Sequence, residues 1–405
     1  MKKILYISYD GLTDPLGQSQ ILPYLEGLSK YEFQFFVLSV EKRRRYHTEK
    51  ETVKNITDAA GIKWTPLWFT SKPPLLSKVY DRWKLKYNAL KLFKQEKFDM
   101  IHCRSYIAAE IGLLFKRKFG TKFLFDMRGF WADEKRDSSW NISNPIFKAV
   151  YKYYKKKEKQ YLQYSDYIIS LTEAGKKEMM TWSSYNPSTP ISVIPTCTDM
   201  GLFSLTSKEQ KKNSRQNLGI SNGTLVISYL GSVGTWYMLD EMLILFRTIK
   251  KKYQDAIFLF VTPTDKNLIA HTIDKLELNP KDFIIVKARR NEVPFLVKAS
   301  DINVSFIRPV YSKISSSPTK LGEVLSMGIP VICNGGVGDV EEIVRNTASG
   351  YVVKNFTEDE FDKAIAAIPG LLNKSSSDIR DRTEDIFSLK KGIQLYLKSY
   401  QSIFS

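Results

Sequence analysis

The chain opens on a short apolar run, Ile4-Leu5-Tyr6-Ile7, closed by the polar stretch 10–17. A run this short, bounded by turn residues, predicts a strand buried on both faces. The pattern recurs at 33–40, 99–103, 122–125, 167–171 and 192–194. Between these runs lie stretches of helical period at 18–28 and 108–119, and a helix beginning near Thr172. Residues 204–224 interrupt the rhythm; they are polar, include Ser221-Asn222-Gly223, and read as a connection between domains. The alternation then resumes, with strands at 225–230, 256–261, 283–286, 302–306 and 330–333. Helices are predicted at 239–253, 292–298 and 320–327, and 386–403 is amphipathic and helical. Strand alternating with helix predicts parallel, doubly wound sheets, so the expected architecture is α/β with two Rossmann-like domains.

Composition narrows the class. The 405 residues are 43% hydrophobic and 26% charged, the balance of an ordinary globular protein. No apolar run approaches the ~20 residues of a membrane span. Met1-Lys2-Lys3 followed by Ile4–Ile7 is too short for a signal-peptide core, so neither secretion nor membrane insertion is expected. Cys103, Cys197 and Cys333 are far apart and odd in number, which speaks against a disulfide framework or a thiolate zinc site. With only His47, His102 and His271, chemistry built on several histidines is nearly excluded.

Charge is uneven. The chain carries 61 basic and 43 acidic residues, a net +18. Residues 1–200 hold 34 basic and 21 acidic side chains, a net +13, which leaves +5 for the remainder. In 147–164 six lysines alternate with aromatics at helical spacing. In 73–97, Leu75, Leu76, Val79, Tyr80, Trp83 and Phe93 stand against Lys78, Arg82, Lys84, Lys86 and Lys91, and Arg43-Arg44-Arg45 adds a third cluster. Lysines beside interfacial Tyr and Trp suit an anionic membrane surface. The plainer alternative is a solvated helix face whose apolar side packs on its own domain. No RRM, KH, zinc or helix-turn-helix signature accompanies the charge, so nucleic acid is not the expected partner.

The densest candidate chemistry is Ser315-Ser316-Ser317-Pro318-Thr319-Lys320-Leu321-Gly322-Glu323, which opens a predicted helix. Small hydroxyl residues and Pro at a first turn leave backbone N–H groups free, and the helix dipole makes them an anion site. Lys320 supplies positive charge, and Glu323, one turn on, can accept two hydroxyl hydrogen bonds as a ribose contact does. The alternative is a Ser-rich cap with an exposed Lys and Glu. In the first half, the loop 10–19 follows the first strand, where open sheets bind ligands; Gly17 would permit close approach, with Gln18 beside it. It is not a GxGxxG loop, which argues against a nicotinamide site. His102 and Arg104 stand at the end of a strand, as structural residues or as ligand contacts.

Gly328-Ile329-Pro330-Val331-Ile332 follows the helix, then the loop Asn334-Gly335-Gly336-Val337-Gly338. With Ser317-Pro318-Thr319-Lys320 and Glu323, this run resembles the nucleotide-sugar site of retaining GT-B glycosyltransferases of family 4, the group 1 glycosyl transferases. Ser228-Tyr229-Leu230-Gly231-Ser232-Val233 resembles the strand and loop that open the family's donor domain. Asn291–Leu296 resembles its nucleobase-side helix, and Asp126–Glu134 resembles a cleft-facing acceptor-domain loop.

The resemblance implies a GT-B fold, two Rossmann-like domains facing each other across a cleft. The expected domains are 1–203 for the acceptor, 204–385 for the donor, and a helix 386–405 crossing back. It implies transfer of a sugar from a nucleotide-sugar, most plausibly a UDP-sugar, to a hydroxyl of a lipid-linked saccharide, with retention and without metal or other cofactor. The setting would be surface polysaccharide or cell-envelope glycan synthesis, in the cytoplasm and peripheral to the membrane. Donor contacts would come from Gly231, Ser232, Arg289, Ser316, Ser317, Pro318, Thr319, Lys320 and Glu323. Arg128, His102 and Ser315 would stand at the reaction centre, and Gly17, Gln18 and Arg104 on the acceptor or phosphate side. Three departures are visible. Ser315 stands where many members carry a Glu, Arg128 where many carry a His, and no Arg/Lys pair follows Gly231. Arg128 does not deprotonate, so it would stabilise a phosphate or carboxylate rather than carry a proton. Lys320, Arg308 or Lys313 would supply the missing charge. A sugar-nucleotide epimerase and a non-catalytic polyanion-binding protein remain as alternatives.

Overall fold

The structure, a computed structural model, describes residues 1–73 and 76–405; Leu75, placed above on an apolar face, lies outside the described residues. The chain forms two compact units, Met1–Pro195 with Leu389–Ser405, and Thr196–Ser388.

In the first unit, seven parallel strands are ordered β3-β2-β1-β4-β5-β6-β7. They are β1 (Lys2–Ser8), β2 (Phe33–Glu41), β3 (Lys63–Trp68), β4 (Met100–Arg104), β5 (Lys122–Asp126), β6 (Tyr167–Ser170) and β7 (Ile191–Val193). β1 pairs with β2 through Ile4 and Phe35, and with β4 through Ile4 and Met100. Helices cover both faces of such a sheet, so the central strands are apolar throughout rather than alternating. β3 escaped the sequence reading because it is an edge strand, half-exposed and interrupted by Pro66, which only an edge tolerates.

The terminal helix Leu389–Phe404 packs in this unit and buries Tyr396, Tyr400 and Ile403. It comes so close to the helix Leu22–Leu28 that a Cβ on Gly27 would stand 2.2 Å from Ile393 Cδ1. Burying a side chain such as Ile403 contributes about 1.5–3 kcal/mol.

The second unit holds six parallel strands in the order β10-β9-β8-β11-β12-β13. These are β8 (Val226–Leu230), β9 (Ile257–Val261), β10 (Phe283–Val286), β11 (Ile302–Ser305), β12 (Val331–Asn334) and β13 (Gly350–Val353). Phe258, Phe260, Phe246 and Ile302 lie at the heart of one core layer, and Val324, Leu325, Val331 and Val344 of the other.

Three expectations need correction. The stretch 204–224 is not a connection: Ser207 and Gln210 form a reciprocal capping box that starts the helix Lys208–Asn217. That helix belongs to the second unit, where Arg215 pairs with Asp301 at 2.6 Å. It was missed because it is polar almost throughout and shows no apolar period. Second, the boundary falls after Pro195 rather than 203, because Thr196 is tied to Ser317 by hydrogen bonds of 2.9–3.2 Å. Third, the closing amphipathic segment is two helices, Ser376–Phe387 and Leu389–Phe404, divided at Ser388, whose backbone is extended. No helix among the described residues is long and apolar enough to cross a membrane.

The helix Ser105–Phe119 lies so tightly on its sheet that a Cβ on Gly112 would stand 2.4 Å from the Phe123 ring and 2.6 Å from Cys103 Sγ. Gly112→Ala gains helix propensity of about 1 kcal/mol. The overlap outweighs it, and urea denaturation should show a net loss of about 1–3 kcal/mol. A variant as stable as the wild type would contradict this packing.

Candidate functional site

The connections from β8 run to one side of the second sheet and those from β11 to the other. Between the carboxyl ends of these two strands lies a crevice that no crossover fills, the usual ligand position of an open α/β sheet. The loops after the two strands are tied together there. Met238 N donates to Phe306 O at 3.1 Å, and Arg308 N donates to Trp236 O at 2.8 Å.

Gly231 ends β8 with φ +111°, a conformation that favours glycine. A Cβ at this position would meet Lys320 Nζ at 3.2 Å. Lys320 comes from the first turn of the helix Thr319–Ser326 and is buried. Its ammonium donates to Tyr229 Oη at 2.7 Å and lies 4.2 Å from the Tyr229 ring centre and 3.5 Å from that of Tyr237. Tyr229 in turn donates to the carbonyl of Ser232. The only hydrogen-bond partner of this ammonium among the described residues is therefore a neutral hydroxyl. Burial pushes Lys320 well below the usual lysine range, and Glu323 is the one charge opposing that shift.

Glu323, one turn further on, is also buried, and Arg290 Nη1 holds its Oε1 at 2.8 Å. Burial raises its carboxyl, while Arg290 and then Lys320 act to lower it. Two more cations flank Trp236: Lys313 Nζ is 3.8 Å from the ring centre, and the Arg308 guanidinium is 6.0 Å away. The N–H groups of Thr319 and Lys320, in the first turn, have no intrahelical acceptor. An anion placed beside Gly231 would thus meet one desolvated ammonium and a helix start.

The burial of Lys320 and Glu323 overturns the alternative of an exposed Ser-rich cap. Other predicted residues fall differently. Ser315 is buried and its hydroxyl donates to Ser312 O at 3.0 Å. Ser317 is engaged with Thr196, Ser316 is half-buried, Pro318 caps the helix without a side-chain bond, and Ser232 is exposed. Arg289 is exposed; Arg290 is the arginine that reaches Glu323. The aromatic platform of Tyr229 and Tyr237 was not assigned from sequence. Its only trace there is a tyrosine in an aliphatic strand.

The corresponding edge of the first unit gathers Asp126, His102, Arg104 and Arg128, all buried. His102 Nδ1 is 2.7 Å from Tyr400 Oη and Nε2 is 3.4 Å from Asp126 Oδ2; Tyr396 Oη donates to the same carboxylate oxygen at 2.9 Å. Both imidazole nitrogens therefore have partners inside the cluster. Burial holds the imidazole below its ordinary value of 6.5. Burial alone would raise Asp126; Arg128, His102 and Arg104 outweigh it and hold it low. Arg128 Nη1 lies 3.9 Å and Arg104 Nη1 4.0 Å from Asp126, and the half-exposed Asp10 is 3.7 Å from Arg104. The Nε atoms of both arginines are buried without a hydrogen-bond partner, although Asp10 pairs ionically with that of Arg104. Arg128 and Ser105 both carry left-handed backbone, φ +52° and +65°, at the ends of β5 and β4. Such strain outside glycine concentrates at functional sites. Two guanidiniums thus share one buried carboxylate, and among the described residues only Arg104 has a second, half-exposed one in Asp10.

Gly17 and Gln18 do not join the cluster. A Cβ on Gly17 would sit 2.0 Å from Gly11 O, so the glycine serves the packing of its own loop. Gln18 Nε2 donates to Thr13 O and Glu49 Oε2. Among the described residues no three His, Cys, Asp or Glu side chains converge as a metal site.

Comparison with known proteins places both halves. Residues 210–376 match the family model described as Glycosyl transferases group 1, and residues 26–202 match Glycosyltransferase Family 4. No curated protein sequence matches the chain. Among solved structures, sucrose-phosphate synthase from Thermosynechococcus elongatus superposes with a TM-score of 0.75 at 14% identity, covering 100% of this chain and 99% of that one. Anabaena HepE, in complex with UDP and glucose, gives 0.68 at 15%, covering 99% and 100%. The lipopolysaccharide outer core galactosyltransferase WaaB gives 0.66 at 14%, covering 99% of both. At these identities the likeness is one of fold, and the fold is GT-B.

The unpaired Lys320 ammonium makes a prediction about stability. An unfolded lysine titrates near 10.5, and this one lower when folded. The unfolded state therefore binds more protons between the two values, and stability rises with pH across that window. Lys320→Met removes the buried charge. Urea denaturation should find the variant more stable at neutral pH by about 1–3 kcal/mol, with a weaker gain of stability towards alkaline pH than in the wild type. A destabilised variant with an unchanged pH slope would sink the assignment.

Proposed function

The chain is a group 1 glycosyltransferase with the GT-B fold, and we propose that it transfers a sugar from a UDP-sugar, with retention of configuration, to a hydroxyl of a lipid-linked saccharide. The observation that carries the donor half is the Lys320 ammonium, buried against Tyr229 and Tyr237 beneath Gly231. A buried cation without a counterion is unstable by itself and is compensated when an anion arrives. The diphosphate of a nucleotide-sugar is such an anion, and UDP is the nucleotide bound by HepE.

In this reading Lys320 and the N–H groups of Thr319 and Lys320 stabilise the diphosphate as its bond to the anomeric carbon breaks. Lys313 and Arg308, positioned against Trp236, supply the charge that an Arg/Lys pair after Gly231 would otherwise bring. Glu323 holds the ribose with one carboxylate oxygen while Arg290 holds the other. With Ser315 turned to its own loop, the sugar contact falls to Ser316 or to backbone groups. Arg128 and Arg104 receive an anionic oxygen on the acceptor side, and Asp126, fixed by His102 and Tyr396, keeps the two guanidiniums in place.

The acceptor half of the proposal rests on charge. The first 200 residues carry +13 and present lysine-rich helices with aromatics, which suits an enzyme peripheral to the inner face of the cytoplasmic membrane, building a surface polysaccharide or cell-envelope glycan.

Two measurements test the donor half. UDP should raise the melting temperature of the wild type more than GDP or ADP does, and Lys320→Ala should abolish the shift. Lys320→Ala and Glu323→Ala should each lower donor turnover by about 100-fold, the scale of losing an electrostatic contact to a leaving group. Unchanged turnover in both variants would refute the site. The product's anomeric coupling constant, compared with that of the donor, checks retention. UDP release with epimerised sugar in the absence of acceptor would point to an epimerase.

A further inference from the structure

The helix Leu76–Glu96 packs on its unit through Ser77, Asp81, Leu85 and Ala89 and leaves Tyr80, Trp83 and Tyr87 outside. Ser77 and Asp81 are buried, Asp81 completely, whereas Trp83 is 58% and Tyr87 56% exposed. Asp81 explains the orientation. Its carboxylate accepts from Tyr9 Oη at 3.0 Å, Thr70 N at 3.0 Å and Lys84 Nζ at 2.9 Å. Rotating the aromatic side into the protein would break the bonds to Tyr9 and Thr70, which lie outside the helix. The outward rings are ordered among themselves: Tyr80 stacks on Trp83 at 5.9 Å and Trp83 on Tyr87 at 5.6 Å between ring centres. The lysine-rich helix Pro145–Tyr164 divides its tyrosines, burying Tyr154 and Tyr161 in its own unit and leaving Tyr153 and Tyr164 exposed. Both basic helices pack an inward face on their own unit, and Leu76–Glu96 in addition shows a stacked row of three aromatics outside.

Trp83 stands at the edge of a groove of about 700 Å³ between these two helices and Ser105–Phe119. Ile107, Ile111 and Leu114 line it with apolar surface. Lys86, Arg117, Lys118 and Lys157 contribute cations. The one acidic side chain in the lining, Glu110, is taken by Arg82 at 2.6 Å. Apolar lining, cationic rim and a stacked aromatic ridge together match the boundary of a bilayer. Phosphates would meet the cations, the first acyl carbons the apolar lining, and Tyr and Trp the headgroup level.

We propose that this groove and the Tyr80–Trp83–Tyr87 ridge dock on an anionic bilayer and seat a phospholipid headgroup. The proposal rests on the membrane reading given above and assigns it to one surface. Charge complementarity selects the occupant, because a neutral lipid or an apolar peptide would leave the cationic rim unmatched.

The test is flotation of the full chain with phosphatidylcholine vesicles, with and without phosphatidylglycerol, at low and high salt. The wild type should float with the phosphatidylglycerol vesicles at low salt and be released at high salt. Trp83→Ala with Tyr87→Ala should weaken partitioning about tenfold, and Lys86→Gln with Lys157→Gln about 25-fold, near fivefold for each cation. Lys251→Gln with Lys281→Gln, exposed positions in the second unit, should leave it unchanged. Every variant should retain the wild-type melting temperature and its shift with UDP. If the wild type floats and the groove variants float equally well, the groove is not the docking surface while the membrane reading stands. If the wild type floats with neither vesicle, or binds RNA instead, both fall.

Discussion

A parallel sheet has no face that water can solvate without loss, because its crossover connections must lie against it. In both units this makes the central strands apolar on both sides and sends helices to both faces. The strand orders then reverse once in each sheet, at β1 beside β4 and at β8 beside β11. The positions free of crossover helices at the carboxyl ends of those strands are where charged side chains collect. Lys320 and Glu323 stand at one, and Asp126, Arg104 and Arg128 at the other. The need to cover the sheets thus decides where the chemistry stands.

The two crevices treat charge differently. In the second unit a single ammonium is buried against two tyrosine rings, with no carboxylate in direct contact. Its desolvation cost is what gives it a strong preference for an anion. In the first unit two guanidiniums meet the buried Asp126 and the half-exposed Asp10, and Asp126 serves as a fixed centre round which two arginines, an imidazole and a tyrosine arrange themselves. Tyr396 and Tyr400, which fix Asp126 and His102, come from the last helix of the chain. The state of this edge therefore depends on residues almost 300 positions distant in sequence.

Buried polar groups also set the outer surface. Asp81, held from outside its helix by Tyr9 and Thr70, helps turn that helix so that Tyr80, Trp83 and Tyr87 face outward. Hydrophobic surface of this kind is displayed at a cost unless something covers it. On the helix Pro145–Tyr164 the buried carboxylate is Glu158, held by Tyr106 and Lys155; Tyr154 and Tyr161 go inward while Tyr153 and Tyr164 stay exposed.

The amino-acid sequence by itself determined the fold class, because short apolar runs alternating with helical periods admit few arrangements other than parallel doubly wound sheets. It also marked the segment from Ser315 to Glu323 as one that opens a helix, since that depends on local backbone and residue type. The edge strands β3 and β13 and the polar helix Lys208–Asn217 were not legible, because half-exposed elements lack the apolar run or period that marks a buried one. Tertiary structure alone decided that Lys320 lies on tyrosine rings, that Arg290 rather than Arg289 reaches Glu323, and that Gln18 bonds Glu49. It alone decided which of two similar basic helices shows a stacked row of aromatics to the outside. Each of those outcomes turns on a partner far away in the chain, such as Tyr9 for Asp81 or Tyr400 for His102, and sequence spacing carries no record of such pairs.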